Sequence, residues 1–335
     1  MRSKSSQVYC NAPLLVGAFF LLLGTLACKE KSPETAQWVT TDTAAEIAES
    51  SEVEVDEQPL SSKTSSEEVR FLSYNLKNYL TMRRGSDYLP KPEKEVDALI
   101  QLITEQKPDI LGLCGIGKRE DLKSLQARLK EAGLDLPHSE HTGGRDRTRH
   151  LGFLSRYPIV ATDSQSALSY EMEGQEWVIS RGILDATVEI EGTPLRFLGV
   201  HLKSKRPIEK ADQEIIRQNE ARLLRDHASA ILEDKPDTHL IAYGDFNDTV
   251  ASKTLSIVRS RRNSKKHLAD FFFKDSRGEV WTHFWDYQDL YSRFDYVLTS
   301  QAMNGKIVNE SSYIVEDPAW KAASDHRALM IVFSP

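Results

Sequence analysis

Cysteine is scarce in this chain: three in 335 residues, at positions 10, 28 and 114. Too few remain for a disulfide framework, so the core must hold by packing alone. A glycine-rich phosphate loop between a strand and a helix is also missing, and a simple Rossmann-type reading has little support. No internal repeat is visible. Strong charge of one sign is lacking from most of the chain. The formal −7 concentrates in residues 29–66, with nine acids against three bases, and residues 67–335 are close to neutral. That balance neither demands nor forbids a polyanionic partner.

What is present begins with a leader. "MRSKSSQVYCNAPLLVGAFFLLLGTLACKE" has a basic start, an apolar run and a small-residue exit before Cys28. This pattern reads as a secretory signal, too short and too cleanly ended for a comfortable membrane span. Ala27-Cys28 resembles a bacterial lipoprotein box, in which Cys28 is acylated and becomes the new N-terminus; cleavage after Ala27 alone is the plainer alternative. Cys10 would leave with the leader, so Cys114 would stand alone. Residues 29–66, rich in Ser, Thr, Glu and Ala, read as a disordered acidic linker. The expected organisation is a signal at 1–28, a linker at 29–66 and one domain at 67–335.

Within the domain, strands and helices alternate. "VRFLSYN", "DILGLC", "LGFLS", "GILDATVEI" and "LRFLGVHL" read as strands, as do residues 240–243, 294–299 and 328–333. Helical spacing of apolar residues predicts helices over 92–106, 121–132 and about 209–233. Five of the strands carry polar residues at or near an end: Asn75, His201, Asp245 with Asn247, Asp295, and Asp325 with His326. A single such residue is more often a turn former or a satisfied core group than a catalyst. Five together supply carboxylates, amides and imidazoles, the set that binds a hard divalent ion and moves protons at a phosphate.

The ordered motifs "SYNLKN", "LGFLSRYPI", "ISRGILDA", "VHLKSK", "YGDFND", "FDYVL" and "SDHRAL" resemble the signature of the endonuclease/exonuclease/phosphatase superfamily, the deoxyribonuclease-I-like fold. The resemblance covers about residues 69–335. It implies an α+β, four-layer α/β/β/α sandwich, with two mixed β-sheets flanked by helices and a cleft at one sheet edge. Carried over residue by residue, it implies Asn75 and Asp325 at a Mg²⁺ or Mn²⁺ site. Asp245 would orient or deprotonate the attacking water, and Asn247 would bind phosphoryl oxygens. His326, oriented by Asp295, would contact the scissile phosphate, with His201 as a second catalytic histidine. Arg181 would be a phosphate-binding arginine, for which a planar guanidinium is well suited.

One position departs from the family pattern. Where the family ends its second strand in a metal-binding Glu, "DILGLCGIGKRED" has Gly115. Three readings follow: a weakened but active site; substitution by Glu120 or Asp121; or a non-catalytic module that binds phosphorylated ligands. The motifs leave the substrate open among DNA, RNA and lipid or inositol phosphates. "RDRTRH" and "RSRRNSKKH" are candidate phosphate-tracking stretches, with solvated loops as the alternative. Trp281, Phe284, Trp285 and Tyr287 are candidate base-stacking groups or core. The expectation is an exported, lipid-anchored, monomeric phosphodiesterase, nuclease-like in its substrate.

Overall fold

The computed structural model describes residues 68–209 and 211–335. The leader, the acidic linker and Cys28 lie outside the described residues. Twelve strands form two six-stranded sheets. The first contains β1 (Val69–Tyr79), β2 (Ile110–Ile116), β3 (His138–Thr142) and β4 (His150–Ser155). The second contains β5 (Ile159–Thr162), β6 (Ile183–Ile190), β7 (Thr193–His201), β8 (His239–Asp245), β9 (Ala269–Asp270) and β10 (Asp295–Thr299). The chain then returns to the first sheet with β11 (Tyr313–Ile314) and β12 (Leu329–Phe333). Strand order is β11-β12-β1-β2-β4-β3 in the first sheet and β9-β10-β8-β7-β6-β5 in the second. Each sheet is mixed: β1 runs parallel to β2 and β7 parallel to β8, while the other pairs are antiparallel.

Period-two alternation assigns the faces. In β1, Val69 and Phe71 enter a cluster shared with Phe153, Phe197, Ile241 and Tyr243, so this core lies between the sheets. Leu72, Tyr74 and Leu76 point the other way, onto helices α1 (Glu93–Gln106) and α2 (Arg119–Glu131). The outer face of the second sheet packs Leu198, Ala242 and Tyr296 against α3 (Gln213–Asp234) and α4 (Lys253–Arg259). The layers are therefore helix, sheet, sheet, helix, as the family resemblance implies. A short helix, α5 (Trp320–Ala323), adds to the first outer layer.

Tyr243 stands between the two sheets and explains two glycines. A Cβ at Gly112 in β2 would overlap its ring, and a Cβ at Gly199 in β7 would lie 2.6 Å from its hydroxyl. Two helices start elsewhere than the spacing predicts. α2 begins at Arg119 because the Asp121 carboxylate accepts from the Lys118 N–H at 2.7 Å, a capping contact at the third helical position. α3 begins only at Gln213, where Asp212 accepts from the Glu214 N–H at 2.7 Å. Short hairpins at Met82–Leu89, Ser169–Val178 and His283–Ser292 were not legible as strands.

Candidate active site

Register brings the predicted residues together. In the second sheet His201, Asp245 and Asp295 are direct neighbours across β7, β8 and β10. In the first sheet Asn75 sits beside Cys114, and its Nδ2 crosses to Asp245 Oδ2 at 3.0 Å. The turn before β12 adds Asp325 and His326, tied down by the Ser324 hydroxyl, which donates to the Asn75 carbonyl at 2.7 Å. Of the nine predicted residues, Asn75, His201, Asp245, Asn247, Asp295, Asp325 and His326 thus form one cluster. Arg181 borders it through the His201 carbonyl, and Cys28 is outside the described residues.

Asp245 is 2% exposed and takes every hydrogen bond offered to it. Its Oδ1 accepts from the Asn247 N–H at 2.8 Å, and its Oδ2 accepts from Asn247 Nδ2 at 2.9 Å. Asn247 reaches back because its backbone is left-handed, at φ 51°, a region Asn tolerates better than most residues. His201 Nε2 lies 3.4 Å from Asp245 Oδ2. Burial raises the Asp245 carboxyl to about 7, with His326 pulling the other way and Asp295 adding to the rise.

His326 Nδ1 donates to Asp295 Oδ2 at 2.8 Å. Burial opposes a charge on this ring, but the Asp295 carboxylate overcomes it and lifts His326 to about 10. The ring is then an imidazolium at neutral pH. Its Nε2 sits 3.3 Å from Asn75 Nδ2, and in the charged state both are donors. One N–H of the Asn75 amide goes to Asp245, and His326 Nε2 lies 3.9 Å from an Asp245 oxygen and 4.0 Å from an Asp325 oxygen. His201 takes the opposite state: burial and then Arg181 push it well below the usual histidine range, and it is neutral. One donor imidazolium and one neutral imidazole flank a carboxylate poised near neutrality, an arrangement suited to proton transfer at a charged ester.

The hard-oxygen donors Asn75 and Asp325 suit a water-rich Mg²⁺ or Mn²⁺. Asn75 Oδ1 also accepts from the Lys77 N–H at 3.1 Å, and Asp325 Oδ2 lies 3.7 Å from Lys77 Nζ. Gly115 sits in a bulge of β2 with φ 74°, and a Cβ there would lie 3.1 Å from Asn75 Oδ1. Gly115 therefore faces the amide expected to hold the ion, with one carboxylate fewer than the family pattern. Neither proposed replacement joins the site. Asp121 is committed to its helix cap, Glu120 is exposed, and among the described residues neither belongs to a cluster of ion-sized spacing.

Several neighbours had no strong sequence signal. His283 pairs by its backbone with His326, its ring 4.6 Å from the His326 ring, and burial together with His326 lowers it to about 4. Thr282 Oγ1 accepts from the N–H groups of Phe294 and Asp295, both at 3.0 Å, and fixes the start of β10. Glu220 could have been found: an acid between Ile216 and Leu224 on the apolar face of α3 is out of place unless it is bonded. Its carboxylate accepts from the N–H groups of Ser180, at 2.9 Å, and Lys203, at 2.7 Å. Arg181, expected at a phosphate, is 7% exposed; its Nη1 donates to the carbonyls of His201, at 3.3 Å, and Leu202, at 2.9 Å. Of the aromatic run, Phe284 is buried, and Trp281 lies under the Arg327 guanidinium at 4.2 Å. Trp285 and Tyr287 are exposed.

This geometry meets a wider pattern. A family model described as Endonuclease/Exonuclease/phosphatase family matches residues 72–326. Among solved structures, an endonuclease/exonuclease/phosphatase from Bacteroides vulgatus is 18% identical, with a TM-score of 0.58 over 79% of this chain and 98% of that one. The human Nocturnin catalytic domain with bound sulfate anion is 17% identical, with a TM-score of 0.56 over 80% and 94%. Sphingomyelinase C from Streptomyces griseocarneus is 16% identical, with a TM-score of 0.52 over 80% and 99%. No curated protein matches the chain. The ordered motifs, the paired mixed sheets and the match across most of the folded domain agree, and the chain belongs to the endonuclease/exonuclease/phosphatase family, whose members are hydrolases acting on phosphoester bonds.

Proposed function

We propose that this protein is a divalent-metal-dependent phosphodiesterase acting on nucleic acid, exported and held at a membrane surface through Cys28. The observation that carries the reading is the His326–Asp295 pair, whose charged ring has Nε2 near Asp245 and Asp325. A phosphoryl oxygen entering that space would accept from His326 Nε2. Asn247 would donate to a second oxygen by exchanging its bond to the Leu202 carbonyl, now 3.1 Å. Asp245, near half ionised at neutral pH, would take the proton of the attacking water. Asn75 and Asp325 would hold Mg²⁺ or Mn²⁺, which when bound neutralises charge on the phosphate. Support for nucleic acid comes from "RDRTRH", which lies at this edge: Arg149 Nε donates to Asn78 Oδ1 at 2.8 Å, close behind Asn75. In "RSRRNSKKH", Arg259 and Lys266 pair with the neighbouring acids Asp270 and Glu233.

A second reading has its own observation. The His283–Ser292 hairpin exposes Trp285, Tyr287, Leu290 and Tyr291 beside the catalytic cluster, an apolar surface suited to a phospholipid head-group substrate. The experiment offers the full chain single-stranded DNA, RNA, bis(p-nitrophenyl) phosphate and phospholipid vesicles, each with Mg²⁺, Mn²⁺ or chelator. Metal-dependent cleavage of an oligonucleotide is expected. Cleavage of vesicle lipid alone moves the reading to the second substrate, and no turnover of any overturns the enzyme reading.

A further inference from the structure

A cavity of about 260 Å³ lies behind the catalytic cluster, lined by Arg145, Tyr170, Trp177, Arg181 and Lys203 together with Asp146. Three separate segments build it, and buried groups brace them. Glu220 binds the N–H groups of Ser180 and Lys203 and so fixes the two segments that carry Arg181 and Lys203. The loop carrying Arg145 is stitched to the same place, its N–H donating to the Ile179 carbonyl at 3.0 Å. The fourth wall is the hairpin Ser169–Val178, where Tyr170 and Trp177 are direct cross-strand partners and present both rings on one face.

The charge on this cavity is unbalanced. Its single carboxylate, Asp146, is already engaged by Thr148, Arg149 and Arg181. Among the described residues neither Arg145 nor Lys203 forms a side-chain ion pair, and the Arg145 guanidinium rests over the Trp177 ring at 5.1 Å. Burial and then Arg181 push the Lys203 ammonium down. Three cations around a half-enclosed space lined by one already engaged carboxylate, beside two aromatic rings, are the complement of a ligand with one anionic and one flat aromatic part. The volume is near the lower end of ligand pockets, about 300 Å³, which suits one nucleotide unit.

We propose that this cavity is a nucleotide subsite, taking the phosphate next to the scissile one on Arg145, Lys203 and Arg181 and its base against Trp177 and Tyr170. The proposal rests on the nucleic-acid reading above and makes it more specific. The link to the reaction centre is the Leu202 carbonyl, which accepts from Arg181 on the cavity side and from Asn247 on the catalytic side. Substrates with a phosphate and base at this position would therefore be preferred over a bare diester.

The test is calorimetry on the full chain with chelator present, using 5′-AMP, adenosine and inorganic phosphate as probes. AMP is expected to bind at least ~10-fold more tightly than either fragment, the gain of joining two contacts in one molecule. Arg145→Ala and Lys203→Gln, both at surface-accessible positions, should each weaken AMP by about tenfold, the loss expected for a charged phosphate contact. Trp177→Leu should abolish the quenching of protein fluorescence that AMP produces. His326→Ala should leave AMP affinity unchanged. Equal binding of phosphate and AMP overturns the base contact. AMP binding that depends on His326 but not on Arg145 or Trp177 places the ligand in the catalytic centre and overturns the subsite. Because this readout needs no turnover, an inactive protein that binds AMP through Arg145 sinks the enzyme reading and leaves the subsite standing.

Discussion

Replacing Gly115 by Glu restores the carboxylate that the family pattern has at this strand end, and the backbone sets the cost. Gly115 has φ 74°, where a side chain costs about 1–2 kcal/mol. Its Cβ would press on Asn75 Oδ1 at 3.1 Å and on the Asn78 N–H nitrogen at 3.3 Å. A new carboxylate roughly 5 Å from another would repel it by about 3 kcal/mol at an effective dielectric of about 20, and would attract a divalent cation by about twice that. Without metal, Gly115→Glu is therefore expected to be less stable than Gly115→Ala, which carries the strain but no charge. The alanine variant should melt roughly 2–8 °C below the wild type, at about 2–4 °C per kcal/mol for a domain of this size. With Mg²⁺ the order between the two variants should reverse. Reversal needs a gain in metal affinity of more than about a hundredfold, because each tenfold adds about 1.4 kcal/mol at saturating ion against a repulsion of about 3 kcal/mol. Thermal unfolding of the wild type and both variants, with chelator and across a Mg²⁺ titration, separates the effects. Equal Mg²⁺ stabilisation of the glutamate and alanine variants would refute this expectation, because it would mean that a side chain placed at position 115 does not face the ion.

Asp245→Asn should leave the circular dichroism spectrum unchanged and lower turnover at least ~10²-fold, a typical loss for a proton-transfer group. The pH profile of kcat/KM should rise as Asp245 ionises near 7 and fall as His326 loses its proton near 10. Asp295→Asn removes the charge that lifts His326 and should bring the alkaline limb down toward the ordinary histidine value of about 6.5, read from the same profile. The folded-state rise at His326 also contributes stability, present below the unfolded value and lost as pH climbs through about 10, so alkaline unfolding should begin earlier in the Asp295 variant. Cys28→Ser should release the protein from the membrane fraction; a wild type already soluble, with an unmodified Cys28, removes the anchor from the proposal.

Much of this site was legible because its residues are delivered by strands. Apolar runs marked β1, β7, β8, β10 and β12; His201, Asp245 and Asp295 stand at strand ends and His326 just before a strand, whereas β1 runs on past Asn75 to Tyr79. A strand end is a place in a sheet, so a list of strand ends is already a list of neighbours once the order is known. What the sequence could not convey was contact made by loops. His283 reaches His326 through a single isolated bridge, and the Ser169–Val178 hairpin stands on one side of a cavity that depends on three other segments. Neither has a period to read. Arg181 shows a different limit. Its position before a β-strand suggested a phosphate ligand, but gave no sign that its Nη1 also donates to the carbonyls of His201, at the end of β7, and Leu202, which follows it. The fully buried Arg217 was hidden in the same way, since only the fold reveals that Asp248 waits for it at 3.1 Å.

The seat of Tyr243 has a mechanical consequence. The reaction centre is split between two sheets, Asn75 on one and Asp245 on the other, and among the described residues no disulfide ties one sheet to the other. Tyr243 lies two residues before Asp245, and Gly112 is paired with Ser73, two residues before Asn75. The ring therefore acts as a dowel set into both halves at the level of the chemistry, and sliding one sheet along the other would drive it into the Gly112 backbone. Wear on that joint would be felt first as lost alignment across the 3.0 Å between Asn75 and Asp245, well before the domain came apart.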